Sequence, residues 1–190
     1  STYTGNGTDG ATIGHGLGAT PAWGFIKKRA ATGRVWVAKH KDFTNGMSGS
    51  YVSELNEPDP PNSAMGRGWW TAAGTSVVTL VDGGTGGDQV NNSGETYCAW
   101  LWAEVEGFSK FGSWVGDGRA DGAFIWCGFR PAWILTKKTS GTENWHLFEA
   151  GANPYNEATQ YFQTDNENAE ASYSTRKINM VSNGFKCSSE

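Results

Sequence analysis

At 190 residues the chain is long enough to bury a core without help from a metal or disulfides. Its net charge of −4 argues against a nucleic-acid surface, which needs a Lys/Arg excess, and no apolar run reaches the ~18–20 residues of a membrane span. Gly (27 residues) and Trp (10 residues) are both heavily used, which suits aromatic-rich strands joined by many turns.

The elements follow in order. Tyr3-Thr4 is a short strand running into the tight turn Gly5-Asn6-Gly7. Ala11–His15 is weakly strand-like, and Ala22–Lys28 (AWGFIKK) is a better strand. Arg34–His40 alternates, with Val35, Val37 and Lys39 on one face and Trp36, Ala38 and His40 on the other. Phe43–Ser50 reads as a loop and Ser50–Leu55 as a strand. Asn56–Gly68 carries three prolines and is a surface loop. Trp69-Trp70 follow it, then the strand Ser76–Val81 and the Gly-rich loop Asp82–Asn92. Thr96–Val105 (TYCAWLWAEV) is the strongest strand of this half. It is apolar on both parities, so burial on both faces is expected, as in the middle of a sandwich. Gly107–Ser113 is expected to be packed through Phe108 and Phe111. Ala123–Cys127, Ala132–Lys138, Asn144–Glu149 and Ile178–Val181 are the later strands. Asn153-Pro154-Tyr155-Asn156 is a turn, and Glu167–Ser172 is the one segment with helical composition, too short to stand alone.

The second half repeats the first. Gly5-Asn6-Gly7 matches Gly116-Asp117-Gly118, Asp9-Gly10-Ala11 matches Asp121-Gly122-Ala123, and Gly16-Leu17 matches Gly128-Phe129. Pro21-Ala22-Trp23 matches Pro131-Ala132-Trp133, Lys27-Lys28 matches Lys137-Lys138, and Trp36 matches Trp145. Further on, Ile178–Val181 is set against Val78–Val81. The offset is about 110 positions, longer than the ~20–50-residue period of solenoids. The expectation is an all-β, jelly-roll-like sandwich of two internally repeated units, 1–106 and 107–190, combined in one sandwich; two separate small sandwiches are the alternative. The second copy shows no counterpart of Thr96–Val105. An unpaired sheet edge and an apolar groove are therefore expected there, and with them association with other chains.

YTGNGTDGATIGHGLG, VNNSGETYCAWLWAEVEGFSKFGSWVGDG, DGAFIWCGFRPAWILTKK, NWHLFE, NPYN and INMVSNGFK, in that order, resemble a lectin-like domain of tail-fibre and other virion structural proteins of tailed bacteriophages. The resemblance covers nearly the whole chain and implies a concanavalin-like β-sandwich, location in the virion after assembly in the host cytoplasm, and contacts with other virion proteins. It also implies a homo-oligomer, with a trimer as the first expectation. It implies no particular ligand; the reading taken here is a non-enzymatic, surface-exposed receptor-binding module, with host-surface glycan as the expected ligand. A capsid-decoration or fibre-shaft module is the alternative, and a polysaccharide-cleaving enzyme the weaker one. Family members usually continue past SNGFK into a further strand, and this chain is richer in Trp at Trp100, Trp102, Trp114 and Trp126.

Trp69 and Trp70 are candidate binding residues, because neighbours on a strand face opposite ways and an exposed Trp is a platform for a sugar ring or a partner. Tyr155 and Asn156 are further candidates, weighed against a role in fixing their turn. Asp82 and Asp88, with Asn91 and Asn92, offer oxygen ligands of the kind calcium takes, though the spacing fits no EF-hand and such loops are usually turns. No other cofactor is indicated. Glu54, Glu57, Glu104 and Glu106 read as solvated edge charges rather than a glycosidase pair. His15, His40 and His146 lack a nucleophile context, so no catalytic residue is assigned. Cys98, Cys127 and Cys187 form no disulfide framework and no metal cluster, and are expected to be inward-facing free thiols of a protein made in a reducing compartment.

Overall fold

A computed structural model of the chain describes residues 1–30, 35–43, 51–62, 72–80, 90–172 and 175–188. These residues form β-strands and turns, with no α-helix among them. Two compact units result: Ser1–Glu104 with Thr139–Thr142, and Val105–Lys138 with Glu143–Glu190.

The first unit contains, in chain order, β1 (Thr2–Thr4), β2 (Thr12–Gly14), β3 (Trp23–Lys28), β4 (Val37–His40), β5 (Ser53–Glu54), β6 (Ala72–Ala73), β7 (Val77–Thr79) and β8 (Thr96–Trp102). One antiparallel sheet has the order β1-β8-β3-β4-β5 and the other β2-β7-β6. Alternation selects what faces inward. Ile13 and Val78 from the smaller sheet meet Ile26, Val37, Tyr97 and Ala99 from the larger in one core. Burying an aliphatic or aromatic side chain of this size stabilises by ~1.5–3 kcal/mol.

The second unit contains β9 (Phe124–Trp126), β10 (Trp133–Thr136), β11 (His146–Glu149), β12 (Gln160–Gln163), β13 (Ala171–Ser172), β14 (Lys177–Val181) and β15 (Gly184–Ser188). Its antiparallel sheets have the orders β10-β11-β12-β13 and β14-β15-β9. Ile134, Phe148 and Tyr161 from one meet Ile178, Met180 and Phe185 from the other. Both units are thus all-β and sandwich-like, each with its own core.

The two registers run in parallel. Ile13 lies opposite Val78 and Ile125 opposite Phe185. The Leu80 N–H donates to Ala11 O, and the Cys187 N–H donates to Ala123 O. Trp36 N–H donates to Asn56 Oδ1 at 2.7 Å, and Trp145 N–H to Asp165 Oδ2 at 3.3 Å, each across 20 residues. Lys27 stands 5.4 Å from the Trp36 ring centroid and Lys137 5.6 Å from that of Trp145. The matched glycines Gly7 and Gly118 both have left-handed backbone, with φ of 66° and 68°, a conformation that costs glycine no Cβ clash.

Several expectations change. The strand that pairs with β9 is β15, as β7 pairs with β2, while Ile178–Val181, set above against Val78–Val81, pairs with β15 and not with β9. Glu167–Ser172 is not helical; Ala171-Ser172 pairs with Gln160 and Tyr161, and the short run has too few residues to nucleate a helix against that pairing. Strand β8 is not buried on both faces. Tyr97 and Ala99 point into the core, while Trp100 and Trp102 are 39% and 38% exposed. Phe108 is 78% exposed rather than packed. The three cysteines are free and half-buried; Cys127 and Cys187 pack on the second core, but Cys98 shares the outward parity of Trp100.

Candidate functional site

The outward face of the larger sheet of the first unit is aromatic. Pairing across β3, β4 and β8 sets Trp23 beside Trp102 and His40, and Phe25 beside Trp100 and Ala38. On this face the side chains of a row lie within cross-strand contact distance. The Phe25 ring centroid is 5.1 Å from that of Trp100, 5.3 Å from Trp102 and 5.6 Å from Trp36. Trp36 in turn lies 5.7 Å from Trp100. The four rings form one terrace, with Trp100 and Trp102 exposed and Phe25 and Trp36 half-buried. These tilted and edge-on arrangements are those aromatic pairs favour.

Charge is confined to the rim. Lys27 covers the Trp36 ring, a cation–π contact. Lys41 Nζ pairs with Glu104 Oε1 at 2.9 Å. His40 accepts the Asp42 N–H at Nδ1, 3.0 Å away, and burial lowers its pKa, so it is neutral at pH 7. The terrace therefore presents polarisable, weakly hydrated ring faces edged by donors and acceptors. Such a surface binds the C–H faces of sugar rings or a partner's apolar side chains.

Under the terrace lies Lys39, fully buried, with Nζ donating to Tyr51 O at 2.7 Å. Burial lowers its pKa to about 8.

Trp69, Trp70, Asp82 and Asp88 lie outside the described residues. Tyr155 is 83% exposed at a turn tip. Asn156 fixes that turn, its Oδ1 accepting the Met180 N–H at 2.9 Å and its Nδ2 donating to Met180 O at 3.0 Å. Asn153 does the same upstream, donating to Gln160 O and accepting from the Thr159 and Gln160 N–H groups. Asn91, counted above among oxygen donors for calcium, is instead buried and staples the N-terminal turn. Its Nδ2 donates to Asn6 Oδ1 and Thr8 O, and its Oδ1 accepts the Asn6 N–H. No group of three or more His, Cys, Asp or Glu side chains converges among the described residues. His15 and His146 each serve local structure: Nδ1 of His15 accepts the Leu17 N–H, and Arg176 donates to Nε2 of His146 at 2.6 Å. Burial, reinforced by Arg176, lowers the His146 pKa.

Sequence reasoning missed the terrace because apolar residues on both parities of β8 hide which face is covered. The signal was present: Trp36, Trp100 and Trp102 each sit on the parity opposite the aliphatic one.

A family model described as a domain of unknown function, DUF7483, matches residues 1–190. The chain belongs to this family. No curated protein and no solved structure matches it. For this DUF7483 member the terrace is thus read from its own geometry.

Proposed function

We propose that this DUF7483 chain is a non-enzymatic recognition module of a tailed-phage virion, and that the aromatic terrace of Phe25, Trp36, Trp100 and Trp102 adsorbs to host-surface glycan. The observation that carries the recognition is the open clustering of these rings on one sheet face. A buried core has no use for exposed tryptophans, and exposed aromatic patches mark binding surfaces. The resemblance to virion proteins supplies the setting.

The fold we infer for it is a duplicated, jelly-roll-type sandwich unit. The parallel registers, the paired Trp36 and Trp145 contacts and the left-handed Gly7 and Gly118 support that reading. Polysaccharide or whole-cell adsorption tests the function. Binding to host cells that Trp100→Ala and Trp102→Ala reduce at least tenfold, with unchanged circular dichroism, supports it. Binding indifferent to both substitutions refutes it.

A further inference from the structure

In the first unit Ile26 on β3 lies opposite Val37 on β4, and both are buried in the core. On the duplication reading above, the same register of the second unit sets Thr136 on β10 opposite His146 on β11. His146 is buried too. The sandwich therefore does not ask for a histidine at this position, and a buried titratable group costs stability unless it is partnered. We propose that His146, Arg176 and Glu143 form a proton-operated latch, which holds the start of β14 in place at neutral pH and releases it in mild acid.

Arg176 Nη1 lies 2.6 Å from His146 Nε2, and its Nη2 lies 3.2 Å from Glu143 Oε1. A guanidinium keeps its charge throughout the working pH range and can only donate. Nε2 must therefore offer its lone pair, and the ring carries its single proton on Nδ1. The ring also packs edge-on against Tyr161, with centroids 5.0 Å apart, and Tyr161 belongs to the second core. Arg176 immediately precedes β14, whose Ile178 and Met180 enter the same core. A neutral imidazole thus ties the start of β14 to β11.

The other charged groups nearby decide what a proton does here. From the end of β10, Lys137 Nζ donates to the Glu143 carbonyl and stands over the Trp145 ring. From beyond β12, Asp165 accepts the Trp145 N–H. Lys177, next to Arg176, pairs with Glu157 at 3.0 Å. A proton on Nε2 removes the acceptor of the Arg176 bond and sets imidazolium against guanidinium. Glu143, anchored by Lys137, stays as the counter-ion, while the Arg176 side chain, already 42% exposed, swings into solvent. Burial first, then Arg176 and Lys137, lower the His146 pKa from its usual 6.5, with Glu143 opposing them. The unfolded chain therefore takes up this proton at a higher pH than the folded one. Stability of the second unit is lost as pH falls below 6.5 and on through the folded value. Such a group, biasing an element with two arrangements, is what a histidine switch requires.

The test uses the full chain between pH 7 and pH 5, with two readouts. Proton NMR follows the imidazole C2–H signal of His146, assigned by its loss in His146→Gln. It should titrate below 6.5, the ordinary value. Arg176→Gln should move the titration up, and Glu143→Gln should move it further down. Hydrogen exchange read by mass spectrometry follows peptides spanning residues 175–181. Their protection, corrected for the intrinsic exchange rate, should fall about threefold or more in wild type relative to His146→Gln. Peptides spanning residues 23–28, in the first unit, should show no difference between the two proteins. A His146 that titrates at or above the ordinary value overturns the proposal, as does a titration indifferent to Arg176→Gln. Protection that falls alike in wild type and His146→Gln also overturns it. Should His146→Gln fail to fold, Arg176→Gln decides, because its side chain is largely outside the core. With the latch already undone, residues 175–181 should be less protected than in wild type at pH 7, and equal protection there overturns the latch.

Discussion

Lys39 offers the most quantitative test of the fold. Its ammonium is buried under β4 with the Tyr51 carbonyl as acceptor, and burial lowers its pKa from 10.5 to about 8. Below pH 8 the folded and unfolded chains both hold the proton, and the folded state carries the full desolvation penalty. Between pH 8 and 10.5 the folded chain releases the proton while the unfolded chain keeps it, so stability rises with pH across that window. The gap between about 8 and 10.5 corresponds to about 3 kcal/mol, at ~1.4 kcal/mol per tenfold change. Other groups act in the opposite sense. Burial holds Cys187 up at about 11, and burial reinforced by Tyr97 raises Tyr3 above its ordinary value, so both subtract stability as pH rises past 9 and 10. Lys39→Met isolates the lysine, because those groups are common to both proteins. Removing the donor to Tyr51 O adds an offset that does not depend on pH. Urea unfolding of both proteins from pH 7 to 10.5 should show wild type gaining about 3 kcal/mol on the variant. A difference constant to within ~0.5 kcal/mol, well below the linkage value, would refute the buried, charged lysine.

Four further outcomes are expected. Asn91→Ala removes three hydrogen bonds of a buried amide and should cost about 2–3 kcal/mol in denaturant unfolding, mostly from unpaired partners. A Cβ at Gly184 would collide with the Ile125 carbonyl, so Gly184→Ala should break the pairing of β15 with β9 and lower the second unit's melting temperature, while Gly10→Ala, with no atom near its Cβ, acts only through its left-handed backbone and costs ~1 kcal/mol. At pH 8 the native Cys187 thiol, held at about 11 against an ordinary 9, should react with iodoacetamide roughly 100-fold more slowly than in the unfolded chain, since only the thiolate attacks; mass spectrometry of native and denatured samples reads this directly. Tyr161→Ala, which empties a site between His146 and Phe148, should cost about 3–5 kcal/mol by the large-to-small rule.

The chain displayed its strands unevenly. β3, β4, β8, β10 and β11 were legible because alternation and branched or aromatic residues coincide in them. β12 was not: its sequence QYFQ has only two apolar residues, and Tyr161 alone faces the core. β15 was not legible: the reading of the later strands stops at Val181, whereas the two-residue bend Ser182-Asn183 joins β14 to Gly184–Ser188. With β15 unread, Ile178–Val181 was set against Val78–Val81, although it pairs with β15 and not with β9. The terrace was half legible. Alternation placed Trp36 and His40 on one face, but only cross-strand register brings Phe25 between Trp36 and Trp100, and register is a tertiary property. The asparagines were legible as turn formers, not as the buried staples that Asn91 and Asn153 prove to be.

The separate cores have a consequence for how the molecule breathes. Ile26, Val78 and Tyr97 belong to one cluster and Phe148, Met180 and Phe185 to the other, with no residue in both. Protection against hydrogen exchange follows the cooperative unit that must open. Amides of β3 and β8 should therefore exchange together with one opening free energy, and those of β11 and β14 together with another. A denaturant that lowers the first need not lower the second, and exchange measured by mass spectrometry on peptides from each unit should give two slopes rather than one.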